Sequence, residues 1–128
     1  MKSISRLLII AALVTAPFAA LAHAHLEQSD PANGSTVTAV PDHFMLMFSE
    51  SAHLTALTIQ KDGDSSPQKI EPLPKVASKH FTIAAPKLDA GVYTLKFRNV
   101  AEDDNHVTSG AITFTIAADA KSAPLSGK

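Results

Sequence analysis

A period of two dominates the chain. Phe44, Leu46 and Phe48 alternate with His43, Met45 and Met47. Phe81 and Ile83 alternate with His80 and Thr82, and Tyr93, Leu95 and Phe97 with Thr94, Lys96 and Arg98. Ile112, Phe114 and Ile116 repeat the pattern with Thr113 and Thr115. Successive side chains of a strand point to opposite faces, so this pattern calls for sheets with one buried face. Leu57 and Ile59 keep the habit, and Lys61-Asp62-Gly63-Asp64 after them reads as a turn. The runs recur at roughly 10-residue spacing between Pro31, Gly34, Pro41, Pro72, Pro74, Pro86 and Gly91, which predicts an all-β sandwich. Residues 65–77 contain Pro67, Pro72 and Pro74 and are expected to form a loop with at most an edge strand. From Ala117 onward the residues turn small and polar. A frayed tail is expected there, with the domain ending near residue 118 and 119–128 flexible. No internal repeat is present.

A length of 128 residues leaves room for one domain, and a charged fraction of 18% against 45% hydrophobic argues against disorder. The net charge of -1 offers nucleic acid no basic field. Cysteine is absent, which removes disulfides, thiolate zinc sites, iron–sulfur ligation and cysteine nucleophiles together. Six histidines stand beside twelve acidic residues, so imidazole and carboxylate are left to carry any chemistry.

The N-terminus has the form of a secretory leader. Lys2 and Arg6 precede an apolar run, Leu7 to Val14, that is too short to span a bilayer. Pro17 breaks the run, and Ala20-Leu21-Ala22 presents the small-x-small pattern of a cleavage site. Cleavage after Ala22 makes His23 the first residue; a second frame, Ala22-His23-Ala24, makes His25 first. The remaining alternative is an uncleaved anchor. A 22-residue leader leaves 106 of the 128 residues, with nine basic against twelve acidic side chains. The expected product is exported, mildly acidic and soluble.

Two short segments have ligand chemistry. A free N-terminal histidine chelates through its α-amine and the δ nitrogen of its ring, both of which can lose protons to a metal at neutral pH. Nitrogen donors in a square arrangement suit Cu(II) best. The bland alternative is a histidine that falls at the cut by chance. In Asp104-Asn105-His106, an extended backbone points the Asp104 carboxylate and the His106 ring to one face, where they can share a metal or the carboxylate can orient the ring. Here the alternative is a solvated acidic turn.

Read in order, His23-Ala24-His25-Leu26, Asp30-Pro31-Ala32-Asn33-Gly34, Phe48-Ser49-Glu50, and Asp104-x-His106-x-x-x-Gly110 before Thr113-Phe114-Thr115 resemble the CopC/YobA-type periplasmic copper-binding proteins. Those proteins begin with histidine after leader cleavage, and the eight residues from His23 to Pro31 select the first cleavage frame. The likeness runs through the chain to about Ile116. It implies an immunoglobulin-like Greek-key β-sandwich or barrel of about seven strands, holding one Cu(II) near the N-terminus. The implied ligands are the amine and ring of His23, the ring of His106 and the carboxylate of Asp104. Glu50, in the triplet expected to end a strand, is implied as an outer or distant carboxylate. Some family members hold Cu(I) at a methionine-rich segment in mid-chain; residues 51–100 contain no methionine here, which favours a Cu(II)-only binder.

His25, third from the new terminus, offers an alternative Cu(II) mode through the amine, two amides and its own ring. That mode consumes backbone groups a first strand needs. His25 is otherwise an extra ligand on the strand face of His23. His43, Met45 and Met47 share one strand face. They are either donors soft enough for Cu(I) or the half-covered outside of a sheet. His53 and His80 read as surface residues. The function implied is copper buffering or resistance in the periplasm by a monomer without catalytic activity, passing copper to a CopD-like inner-membrane protein. The other classes are a small oxidative copper enzyme and an immunoglobulin-like interaction domain.

Overall fold

The structure, a computed structural model, describes residues 24–121. The expected leader, its cleavage point and His23 lie outside the described residues. Seven strands and no helix make up the described chain: β1 Leu26–Asp30, β2 Thr36–Ala39, β3 His43–Lys61, β4 Gln68–Lys69, β5 Ser78–Ala84, β6 Gly91–Ala101 and β7 Val107–Lys121. The all-β expectation with about seven strands holds. Strand order along the curled sheet is β1-β3-β6-β7-β2, and β4 and β5 also pair with β3. All pairs are antiparallel except β2 with β7.

The 19-residue β3 organises the molecule. Its first part pairs with β1 and β5, as in Leu46↔Ser29 and Leu46↔Phe81, and its second with β6, from Ala52↔Ala101 to Lys61↔Tyr93. Phe48-Ser49-Glu50 therefore does not end a strand. The polar Ser49-Glu50-Ser51 interrupts the apolar alternation, but the backbone stays paired by changing partners there. Inward parity runs through Phe44, Leu46, Phe48, Ala52 and Leu54, then flips to Leu57 and Ile59 across a bulge at Thr55.

Aromatic rings fill the middle of the core. Phe48 meets Phe81 edge-on at 5.9 Å and Phe97 at 5.4 Å, while Phe114 lies 6.0 Å from Phe44 and stacks on Tyr93 at 5.6 Å. These separations suit favourable ring pairing, added to the burial of large apolar areas. The Tyr93 hydroxyl donates to the Asp89 carbonyl at 2.9 Å, so its polar end is satisfied where the ring is buried.

Two further segments differ from expectation or explain it. β7 continues through Lys121, past the residues where a frayed tail was expected to begin. Ala39 pairs with Lys121, the Val40 N–H donates to the Lys121 carbonyl, and Ala120 packs against the core. Backbone pairing holds this stretch without large side chains. The Asp30-to-Gly34 turn is a latch on β7: Thr113 donates its N–H to Asn33 Oδ1 at 2.9 Å and accepts the Gly34 N–H at its carbonyl. Gly34 has a φ of +80°, which glycine adopts without strain. The loop over residues 65–77 contains only the two-residue β4, as expected.

Candidate metal centre

One end of the sandwich gathers three segments that the sequence keeps far apart: residues 24–25, 49–52 and 99–106. Along β6 the inward positions are Tyr93, Leu95, Phe97, Asn99 and Ala101, so an asparagine occupies a core site. Asn99 is the one buried polar residue among those described, and its Nδ2 donates to the Ala24 carbonyl at 3.0 Å. Sequence reasoning missed Asn99. Its inward parity in β6 was the available signal.

Ala24 is itself fully buried, and Ala52 and Ala101 are paired across β3 and β6 beside it. Small side chains thus replace the rings at this end, and the chain enters the core at residue 24. His25 is exposed, and its backbone is engaged: its N–H donates to Ser49 Oγ at 3.1 Å, and its carbonyl accepts from the Ser49 N–H at 2.8 Å. Deprotonating the His25 amide for a metal breaks the first of these bonds, which weighs against the amide-chelate alternative.

On the other side of Ser49 to Ser51 stands the β6–β7 turn. The Glu102 N–H donates to the Ser51 carbonyl at 3.0 Å, and the Ala101 N–H donates to the His106 carbonyl at 2.9 Å. Asp104 and His106 are not extended, contrary to the geometry first considered for them. They belong to a tight turn in which Asn105 has a φ of 57°, a left-handed conformation that asparagine tolerates better than most residues. Asp104 Oδ1 accepts the His106 N–H at 3.0 Å, so the carboxylate holds the histidine's backbone in place. Both side chains are exposed.

Glu50 occupies the same inward parity as Phe48 and Ala52. Its Oε2 is buried and makes no hydrogen bond, and Asn99 Oδ1 is in the same condition. Buried acceptors without donors are uncommon and costly, and two of them lie in the segments beside Ala24. Among the described residues, no group of three or more His, Asp or Glu side chains comes together to hold a metal.

Gly110, the last residue of the Asp104-x-His106-x-x-x-Gly110 segment, has a packing role. A Cβ there would stand 2.4 Å from Phe97 Cζ, because the Phe97 ring lies over the glycine across the β6–β7 pair.

Residues 26–117 match the family model of the CopC domain. Among solved structures, the fold is similar to that of CopC from Methylosinus trichosporium OB3b, with a TM-score of 0.61 and 25% identity over 74% of this chain and 94% of that one. No curated protein matches the sequence. The sequence match over most of the chain and the shared sandwich agree with the resemblance drawn from the motifs: the chain belongs to the CopC family, whose members bind copper.

Proposed function

We propose that the protein binds one Cu(II) in the periplasm, buffers it without catalytic activity, and passes it to an inner-membrane partner of CopD type. The observation that carries this reading is the anchoring of Ala24 by buried Asn99. Asn99 lies two residues before Ala101, whose N–H is bonded to His106. A trans peptide separates consecutive Cα atoms by about 3.8 Å, so a chain cut after Ala22 starts one residue from this anchor.

In this reading the amine and ring of His23, the ring of His106 and the carboxylate of Asp104 are the donors, a nitrogen-rich set that suits Cu(II). Asp104 has a double role. One oxygen holds the His106 N–H, and the other is the donor. Glu50, with a buried oxygen behind Ala24, stabilises the charged site from outside the donor set. His25 is secondary, because its backbone is held by Ser49. The protein acts as a monomer.

The test is a Cu(II) titration of the chain beginning at His23, beside a copy with one glycine placed before it. Tight one-to-one binding is expected in the first and its loss in the second, since an added residue turns the amine into an amide. His106→Ala is also expected to lose tight binding. Equal binding by the glycine-extended copy overturns the N-terminal site, and no binding by either overturns the copper reading. Periplasmic location is checked by osmotic-shock release and by the mass of the released chain, which must begin at His23.

A further inference from the structure

The turn between β1 and β2 contains a reactive dipeptide. Of the three asparagines in the chain, Asn33, Asn99 and Asn105, only Asn33 precedes a glycine. Where the following residue has no Cβ, its backbone nitrogen reaches the asparagine Cγ without hindrance, and this is the setting in which asparagine loses its amide most readily. Asn33 and Gly34 are both exposed, and a Cβ built on Gly34 would meet nothing within 4 Å. Water and base therefore have open access to both reacting groups.

What restrains them is Thr113 of β7. Its N–H donates to Asn33 Oδ1 at 2.9 Å, and its carbonyl accepts the Gly34 N–H at 2.6 Å. One β7 residue thus holds the group that must be attacked and the nitrogen that must attack it. The bond to Oδ1 by itself polarises Cγ toward attack, so the restraint lies in the Gly34 N–H. Its proton is the one that must leave, and it points to β7 instead of to solvent base. The hold continues into β2, where Thr115 donates its N–H to the Ser35 carbonyl at 2.9 Å and pairs with Thr36. Attack on Asn33 therefore requires the turn to leave β7.

We propose that Asn33 is a deamidation site gated by β7, and that its isoaspartate product locks the turn open. When the turn lifts, solvent base removes the Gly34 amide proton, the nitrogen bonds to Asn33 Cγ, the Cγ–Nδ2 bond breaks and ammonia leaves. Water then opens the cyclic imide at one of its two carbonyls, so the net step consumes one water and releases one ammonia. Opening at Cγ gives aspartate, which keeps an oxygen for the Thr113 N–H. Opening at the main-chain carbonyl gives isoaspartate, whose backbone runs through Cβ and Cγ and is longer by one carbon–carbon bond, about 1.5 Å. Gly34 and Ser35 then no longer face Thr113 and Thr115 together. β2, which pairs with β7 at the end of the sheet order, loses its lead-in. The site shares no residue with the turn that holds Asp104 and His106 and does not depend on copper.

The test incubates the chain beginning at His23, without metal, in mildly alkaline buffer, folded and in urea, with peptide mapping by mass spectrometry over days. Conversion at residue 33 is expected in urea, with isoaspartate in excess. In the folded protein it is expected to run about tenfold or more slower, because only the open fraction reacts. Val37→Ala loosens β2 on the core without touching the dipeptide and is expected to raise the folded-state rate. Asn33→Asp is expected to melt with the unaltered protein, and the isolated isoaspartate form to melt lower and to exchange its β2 amides faster. Equal rates in the folded and urea-treated protein overturn the gate, and absence of conversion at residue 33 in urea overturns the site. An isoaspartate form as stable as the unaltered protein overturns the lock. If Val37→Ala fails to fold by circular dichroism, the folded-against-urea comparison decides the gate alone.

Discussion

The middle of the core and the end where the chain enters at Ala24 are built from different materials. In the middle of the sandwich Phe44, Phe48, Phe81, Phe97, Tyr93 and Phe114 pack ring against ring. Where the chain enters at Ala24, the same inward positions hold Ala52, Ala101, Asn99 and Glu50, and two buried oxygens stand without hydrogen bonds. Large rings stabilise a sandwich by burial and dispersion. Alanines with orphaned acceptors do neither. The difference teaches that stability is concentrated in the aromatic middle, which lets the other end carry buried polar groups that stability alone would not select.

This comparison is easiest to break in the middle. Phe114→Ala removes a ring that touches both Phe44 and Tyr93 and is expected to cost about 3–5 kcal/mol in urea unfolding. A smaller loss than that of any variant at the Ala24 end would invert the picture. Gly110→Ala, which forces a methyl into the Phe97 ring, is expected to cost about 1–3 kcal/mol by overpacking and to leave Cu(II) affinity in the native state almost unchanged. A large loss of affinity at full folding would move Gly110 from packing to the site.

The polar end sharpens the contrast. Asn99→Ala is expected to cost only about 1 kcal/mol, because it abandons the Ala24 carbonyl but also removes an unbonded acceptor. Its effect on Cu(II) titration is expected to exceed that of Gly110→Ala, since the entry of the chain is no longer held. Smallest is Glu50→Gln, which keeps the shape and removes the charge. Stability is expected to stay within about 0.5 kcal/mol or rise, as measured by thermal melting. A clear loss of stability would mean that the carboxylate is satisfied in the native protein.

Much of this was legible in the residues. Alternation located β5, β6 and most of β7, and the turn at Lys61 to Asp64 ends β3 as read. What escaped was structure held by backbone alone. β2, Thr36–Ala39, is only four residues long, with Val37 alone packing on the core, and is held by parallel pairing to a strand almost eighty residues later. The last residues of β7 are ordered by the same partner. The polar Ser49 to Ser51 hid the continuity of β3, because a strand that changes partners need not keep its side-chain pattern. Asp104 and His106 were readable as a motif, but what holds the chain entry against β6 was not. That is the Asn99 side chain, whose bond to the Ala24 carbonyl spans 75 positions and leaves no mark on local spacing.

The placement of β7 between β6 and β2 has a consequence for how the molecule comes into being. A chain that emerges N-terminus first, from a ribosome or through a membrane channel, delivers β7, the strand that links β2 to the rest of the sheet, after the other six. Until Val107–Lys121 arrive, β2 has no sheet to join and β6 has only one neighbour. Pairings across so much sequence form slowly, and here they cannot begin early. The β1-β3-β6 part of the sheet can pair before β7 is available, whereas β2 gains its place only when β7 supplies the neighbouring edge.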